Sequence, residues 1–417
     1  MSGAPRILIV AGELSGDLRG AELAHEIRRL RPEAEIIAVG GPHLRAAGAR
    51  IVMESEELSV MGLTEGAARA GAILRAWSRL KRLVRGREAG ERPPDLLIPI
   101  DFPDFNLRLA RVARRAGIKV LYYVSPQVWA WRRYRVRTLA RRVDHLAVVF
   151  PFEEEIYRGL CPVTFIGHPA VDTARASASR AALRHELGLT EGERLVALLP
   201  GSRRAEVGEL LPIMRDALRE LGPGLRVVVA LASESLRPLV EEILALPGRP
   251  GSSESTAGLS PPLLMAGRNF DVVPEGPGED GGSSGPLILA GRTFDIVAAA
   301  DVVAVASGSA TLEVALLGTP MVVLYRLSRL SFAVARRLVR VPWIAMPNLI
   351  LDREAVPELV QNEATPERLA AELRAILADP EREGAMRTAL GQVREKLGLP
   401  GAAQRGAELA LSLLAPT

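Results

Sequence analysis

Cysteine is almost absent from this 417-residue sequence, where Cys161 stands alone. A single thiol excludes an internal disulfide framework and suits a reducing compartment. Aromatic residues are scarce too, at 4%, so the cores must be filled by Leu, Val, Ile and Ala, and any cluster of tryptophans needs an explanation. The five histidines, at 25, 43, 145, 168 and 185, are scattered; with no cysteine partner nearby they give no metal-ligand spacing, and no metal is expected. The G-x-S-x-G elbow of serine hydrolases is missing. No apolar run approaches the roughly 18 residues of a membrane-spanning helix. The segment "PRILIVAG" at 5–12 is a short apolar strand entering a glycine loop, not a signal peptide. Together these absences predict a cytoplasmic protein, free or attached to a membrane from one side.

What is present is enough for two cores. The chain is too long for one ordinary domain, and 48% of it is hydrophobic. Net charge is only +4, but the positive residues are nearly all arginine and they cluster. Arginine presents a planar, permanently charged fork that suits phosphate oxygens, which favours an anionic partner.

Short β-branched runs alternate with helical ones. "RILIVAG" (6–12), "EIIAVGG" (35–41), "DLLIPID" (95–101), "KVLYYVS" (119–125) and "HLAVVFP" (145–151) read as strands, with a helix at 16–30 between the first two. They are apolar throughout, as parallel strands covered on both faces are. After a polar stretch at 172–194 the pattern restarts with "LVALLPGS" (195–202), "LRVVVALAS" (225–233), "DVVAVAS" (301–307) and "PMVVLYR" (320–326). The expectation is an α/β chain of two Rossmann-like, doubly wound halves, 1–171 and 172–417, facing across a crevice, with a C-terminal helix returning to the first half or to a partner subunit. A segment rich in Gly, Ser and Pro, about 245–286, interrupts the second half. Around it "PLLMAGRNFDVV" (262–273) is echoed by "PLILAGRTFDIV" (286–297), and only the later copy is expected to join the sheet.

Chemistry-bearing residues gather at strand ends. "AGELSGDLRG" (11–20) spaces its glycines by four, unlike the dinucleotide fingerprint. A turn capped by Ser15 or Asp17 would account for it, but Glu13 has no capping duty. In "PIDFPDFNLRLA" (99–110) Asp104 reads as an N-cap. Asp101, at a strand terminus, is a candidate general base for a hydroxyl. "LLPGSRRAEV" (198–207) places Gly201, Ser202 and Arg203 where backbone donors, helix dipole and guanidinium could converge on a diphosphate. "ASGSATLE" (306–313) offers Ser307, Gly308 and Ser309 to a phosphate, with Glu313 following. The stretch "SPQVWAWRRY" (125–134) sets Trp129 and Trp131 beside Arg132 and Arg133, which is either a core pair with a solvated helix face or an apolar wall next to a cationic one. A second basic, apolar segment runs through 325–343 and suits an anionic membrane surface.

Taken in order, "AGELSGD", "IDFPDFN", "YYVSPQVWAWRRYRV", "FPFEEEIY", "FIGHP", "LLPGSRRAEV", "ASGSATLE" and "MPNLI" resemble the lipid-A-disaccharide synthase family of inverting glycosyltransferases. The resemblance covers almost the whole chain outside the Gly/Ser/Pro segment. It implies the GT-B fold, and metal-independent transfer of 2,3-diacylglucosamine from UDP to 2,3-diacylglucosamine 1-phosphate at the inner face of the cytoplasmic membrane. By resemblance Asp101 is the base with Glu13 next in line, Ser15 and Gly16 belong to the acceptor side, and Asn348 joins Arg203 at the nucleotide. Trp129, Trp131, Arg132 and Arg133 would then meet acyl chains and the 1-phosphate. The competing readings are another UDP-sugar enzyme of the same fold, such as an epimerase or a transferase with a soluble acceptor, and a nucleic-acid binder. The second lacks any reading-module motif, so no nucleic acid is expected. These residues leave acyl-chain length and oligomeric state, a homodimer included, open.

Overall fold

In the computed structural model the described residues are 4–55, 67–127, 134–222, 224–246, 286–327 and 341–414. Contacts divide the chain into two units, Met1–Asp172 joined by Leu397–Thr417, and Thr173–Lys396. Each is built on one all-parallel sheet.

The first sheet has seven strands: β1 (Arg6–Ala11), β2 (Glu35–Gly40), β3 (Arg50–Glu54), β4 (Leu96–Ile100), β5 (Lys119–Tyr123), β6 (His145–Val148) and β7 (Val163–Phe165). Their spatial order is β3-β2-β1-β4-β5-β6-β7. Strand β1 lies between β2 and β4, with Val10 opposite Val39 on one side and Pro99 on the other. Ile7 through Ala11 are fully buried because helices cover both faces.

The second sheet has six strands: β8 (Arg194–Leu199), β9 (Leu225–Leu231), β10 (Leu287–Ala290), β11 (Val302–Ala306), β12 (Met321–Tyr325) and β13 (Glu358–Val360). Their order, β10-β9-β8-β11-β12-β13, places β8 between β9 and β11. The later copy of the sequence echo supplies edge strand β10 and the Thr293–Ala299 helix, while the earlier copy lies outside the described residues. In the middle of this sheet, at the amino end of β11, the Asp301 carboxylate joins Arg180 at 2.7 Å and Arg184 at 3.1 Å and accepts the Leu195 amide at 2.7 Å, anchoring the Arg180–Glu186 helix beneath β8 and β11.

In both sheets the strand order reverses beside the first strand of the unit, at β1/β4 and at β8/β11. Loops leaving the carboxyl ends of strands on either side of such a reversal diverge and leave a crevice, which is where ligands of open α/β sheets bind.

The last described helix, Ala402–Ser412, belongs to the first unit. Its buried face is small (Ala402, Gly406, Ala407, Ala410) and lies against the Leu14–Leu30 helix. A Cβ on Gly406 would meet the Tyr123 ring at 2.5 Å, so only glycine allows this approach. Asp172 fixes the helix start by accepting the amides of Gly401 at 2.7 Å and Ala402 at 3.3 Å.

Candidate active site

At the β1/β4 reversal, β1 runs through Gly12 and Glu13 into the Leu14–Leu30 helix. Glu13 holds the N-cap position in extended conformation, and its carboxylate makes no capping bond. Ser15 and Gly16 form the first turn, Gly16 packed on Ala11 closely enough that a Cβ would sit 3.4 Å from the alanine methyl. The expected cap at Ser15 or Asp17 is therefore not made. Asp17 is fully buried and turns instead to the end of β2, where it accepts the amides of Gly41 at 2.6 Å and His43 at 2.9 Å.

Asp101 follows β4 with φ at +42°, and Phe102 follows with φ at +46°. Two successive left-handed residues with side chains cost on the order of 1–2 kcal/mol each, so tertiary contacts must impose this turn. Solvent reaches Asp101. Its pKa is nevertheless raised, first by the desolvation of its surroundings and then by the Glu13 carboxylate, against the pull of the Phe102 amide. A proton acceptor of raised affinity that water can still reach fits general-base duty. Asp104 is not the expected cap: Phe102 holds that position, while Asp104 sits in the first turn and pairs with Arg135 at 2.6 Å.

At the β8/β11 reversal the second unit contains a cavity of about 750 Å³, within the usual range for small-molecule sites. Gly201, Ser202 and Arg203 leave β8 for the Arg204–Leu221 helix, with Arg203 at its N-cap. The amides of Ser202 and Arg203 are already engaged: the Glu206 carboxylate accepts both, at 3.1 and 3.3 Å, and also meets the Arg203 guanidinium at 3.4 Å. Gly201 has φ at +116°, and a Cβ there would lie 2.7 Å from Glu206. The backbone donors expected for a phosphate thus serve Glu206, an acidic side chain whose part in shaping the loop was missed at the sequence level. Arg203 remains available, its side chain 82% exposed.

Across the cavity, Ser307, Gly308 and Ser309 lead from β11 into the Ser309–Leu317 helix. Gly308, at φ +150° and ψ −160°, occupies a region essentially restricted to glycine. Among the described residues no side chain caps this helix; the Thr311 amide turns back to the Gly308 carbonyl at 3.2 Å, which leaves the Ser309 and Ala310 amides placed for an anion. Ser307 is partly committed, its amide bonded to the Leu324 carbonyl at 2.8 Å. Glu313 lines the same cavity, half-buried. So does Phe294, the one aromatic among the described lining residues, which stands after β10 in "GRTFD". In a sequence so poor in aromatics, its strand-end position was the available signal.

Asn348 is not among the described residues that line this cavity. It is fully buried in the Met346–Leu351 helix, donates to the Val356 carbonyl at 2.9 Å and the Glu358 carboxylate at 2.8 Å, and accepts the Ala355 and Val356 amides at 2.7 and 2.9 Å. Its capacity is used within the protein, so here it is a structural staple. Trp129, Trp131, Arg132 and Arg133 lie outside the described residues, as does 328–340 of the second basic segment. Among the described residues no group of three His, Cys, Asp or Glu side chains could hold a metal ion, and no helix is long and apolar enough to cross a membrane.

Comparison with known proteins decides what these loops belong to. The profile of the family described as Lipid-A-disaccharide synthetase matches residues 7–250 and 282–408, leaving 251–281 of the Gly/Ser/Pro-rich segment unmatched. A lipid-A-disaccharide synthase from Geobacter metallireducens is 42% identical over 413 residues, 98% of this chain and 97% of the relative. One from Myxococcus xanthus is 40% identical over 420 residues, 100% of this chain and 99% of the relative. The chain belongs to the lipid-A-disaccharide synthase family. As a member it is a glycosyltransferase of lipid A biosynthesis that acts on lipid A precursors. Among solved structures, MurG of Acinetobacter baumannii superposes with a TM-score of 0.57 at 14% identity, covering 98% of this chain and 99% of that one. The UDP-GlcNAc 2-epimerase of Neisseria meningitidis gives 0.56 at 11% identity, covering 98% of each. At such identities the likeness concerns the fold alone, the GT-B architecture that this family shares with them.

Proposed function

We propose that the chain transfers 2,3-diacylglucosamine from UDP to the 6-hydroxyl of 2,3-diacylglucosamine 1-phosphate, with inversion and without a metal. Asp101 takes the proton of the acceptor hydroxyl as that oxygen bonds to the anomeric carbon; the bond from that carbon to the diphosphate breaks, and UDP departs with the electron pair. Without a cation, the growing negative charge on UDP must be met by protein groups, and positioned donors in a partly enclosed site do so most effectively. Arg203 and the uncapped start of the Ser309–Leu317 helix fill that role, and Phe294 offers a face to the nucleoside. Glu206 holds the Gly201–Arg203 loop in shape. Glu13 keeps the proton affinity of Asp101 raised, and Ser15 and Gly16 border the acceptor. The substrates carry acyl chains, so we place the enzyme peripherally on the inner face of the cytoplasmic membrane.

The observation that carries this reading is the distribution of chemistry over the two strand-order reversals, a proton acceptor at one and an anion-accepting cavity at the other, within a chain of this family. Incubation with both substrates, with and without EDTA, tests it. Disaccharide and UDP are expected in both arms. Absence of disaccharide defeats the proposal, and loss of product with chelator defeats its metal-free part alone.

A further inference from the structure

The turn that carries Asp101 is clamped from three sides. Tyr122, fully buried in β5, donates its hydroxyl to the Asp101 carbonyl at 2.5 Å. Asn106, also fully buried, donates its carboxamide to the same carbonyl at 2.8 Å and to that of Ile100 at 3.1 Å. Its backbone amide donates to the Phe102 carbonyl at 3.1 Å. The Phe102 ring in turn lies over Gly12, where a Cβ would meet ring atoms at 2.5 Å. Two of these clamps converge on one carbonyl oxygen, in a turn whose two residues are left-handed without being glycine.

We propose that Tyr122 and Asn106 are positioning residues for the transfer, holding the Asp101 backbone in its left-handed conformation so that the carboxylate stays where the acceptor proton is taken. This rests on the assignment of Asp101 as the base. Buried tyrosine and asparagine can serve stability alone, but such a role does not require both donors to meet on the residue whose side chain does the chemistry. A strained backbone that surrounding groups over-determine is a known way of fixing a reacting group. The arrangement gives both residues one route to the reaction, through Asp101.

A double-mutant cycle separates that route from plain stability. In the otherwise native chain, Tyr122→Phe, which removes only the hydroxyl, should lower kcat tenfold or more while KM for the UDP-sugar stays within twofold, because the nucleotide cavity belongs to the other unit. Asn106→Ala should do the same, and the acidic limb of the kcat–pH profile should move in both. In an Asp101→Asn background, measured by its residual turnover, Tyr122→Phe should cost nothing further. An equal loss in both backgrounds makes Tyr122 merely structural and overturns the inference. So does an unaltered kcat and pH limb in Tyr122→Phe when Asp101→Asn alone is nearly inactive. If Asp101→Asn itself keeps full turnover, the base assignment fails and the inference falls with it, an outcome distinct from the other two.

Discussion

Arg203 borders the cavity with a guanidinium that its loop leaves exposed, paired among the described residues with Glu206 at 3.4 Å. Replacing it with alanine should weaken UDP binding about tenfold, on the order of 1–2 kcal/mol for a charge-assisted contact in a wet site, and should also slow transfer. Calorimetric titration with UDP measures the first part, and an unchanged affinity would mean that Arg203 serves only Glu206. Asp101 makes a pH prediction with a definite sign. Its carboxyl titrates above the usual range because its surroundings desolvate it and because Glu13 adds a like charge. A general base works deprotonated, so turnover should fall as pH drops through this raised value. Glu13→Gln removes the like charge and should shift that acidic limb to lower pH, without returning it to an ordinary aspartate value, since desolvation is the larger cause. A limb that stays put would separate Glu13 from Asp101.

Among the elements, the short Met346–Leu351 helix gives the sharpest test of a residue whose family resemblance and geometry disagree. Asn348→Ala strands two amides and a carbonyl, and takes one donor from the Glu358 carboxylate, which keeps the Ile344 and Ala345 amides. It should cost about 2–4 kcal/mol in denaturant unfolding while the UDP affinity of the folded protein stays the same. A loss of affinity without loss of stability would return Asn348 to the nucleotide. The same contrast shows what the sequence makes legible. Interior strands such as β1, β4, β8 and β11 are continuous apolar runs, because both faces are covered, and they can be read directly. The edge strands β3, β7 and β13, "RIVME", "VTF" and "ELV", escaped because they are short and half polar. Asp101 and the cavity loops were legible as polar or small residues at strand ends. The duties of Asp17, Asp104 and Glu206 were not, since local spacing suggests a cap or a phosphate loop, whereas the partner of Asp17 is 24 residues away and that of Asp104 lies on another helix.

At the scale of the whole molecule, the backbone leaves the first unit after Asp172 and re-enters it at Leu397. Ala402–Ser412 then completes that unit by covering the Leu14–Leu30 helix. Deleting residues from 402 onward should uncover Leu23 and the ring of Tyr123, and lower the melting midpoint of the first unit by roughly 10 °C or more, the scale of several kcal/mol in a domain this size. An unchanged melting curve would show the helix to be dispensable. The order of the chain also bears on how the protein is made. A ribosome has synthesised every strand of the first sheet by Phe165, yet the piece that closes that sheet's helical layer emerges only after the entire second unit. The N-terminal half must wait through that interval with an apolar groove open, available to chaperones. A nascent chain that stalls anywhere before residue 402 keeps Leu23 and the Tyr123 ring without that cover.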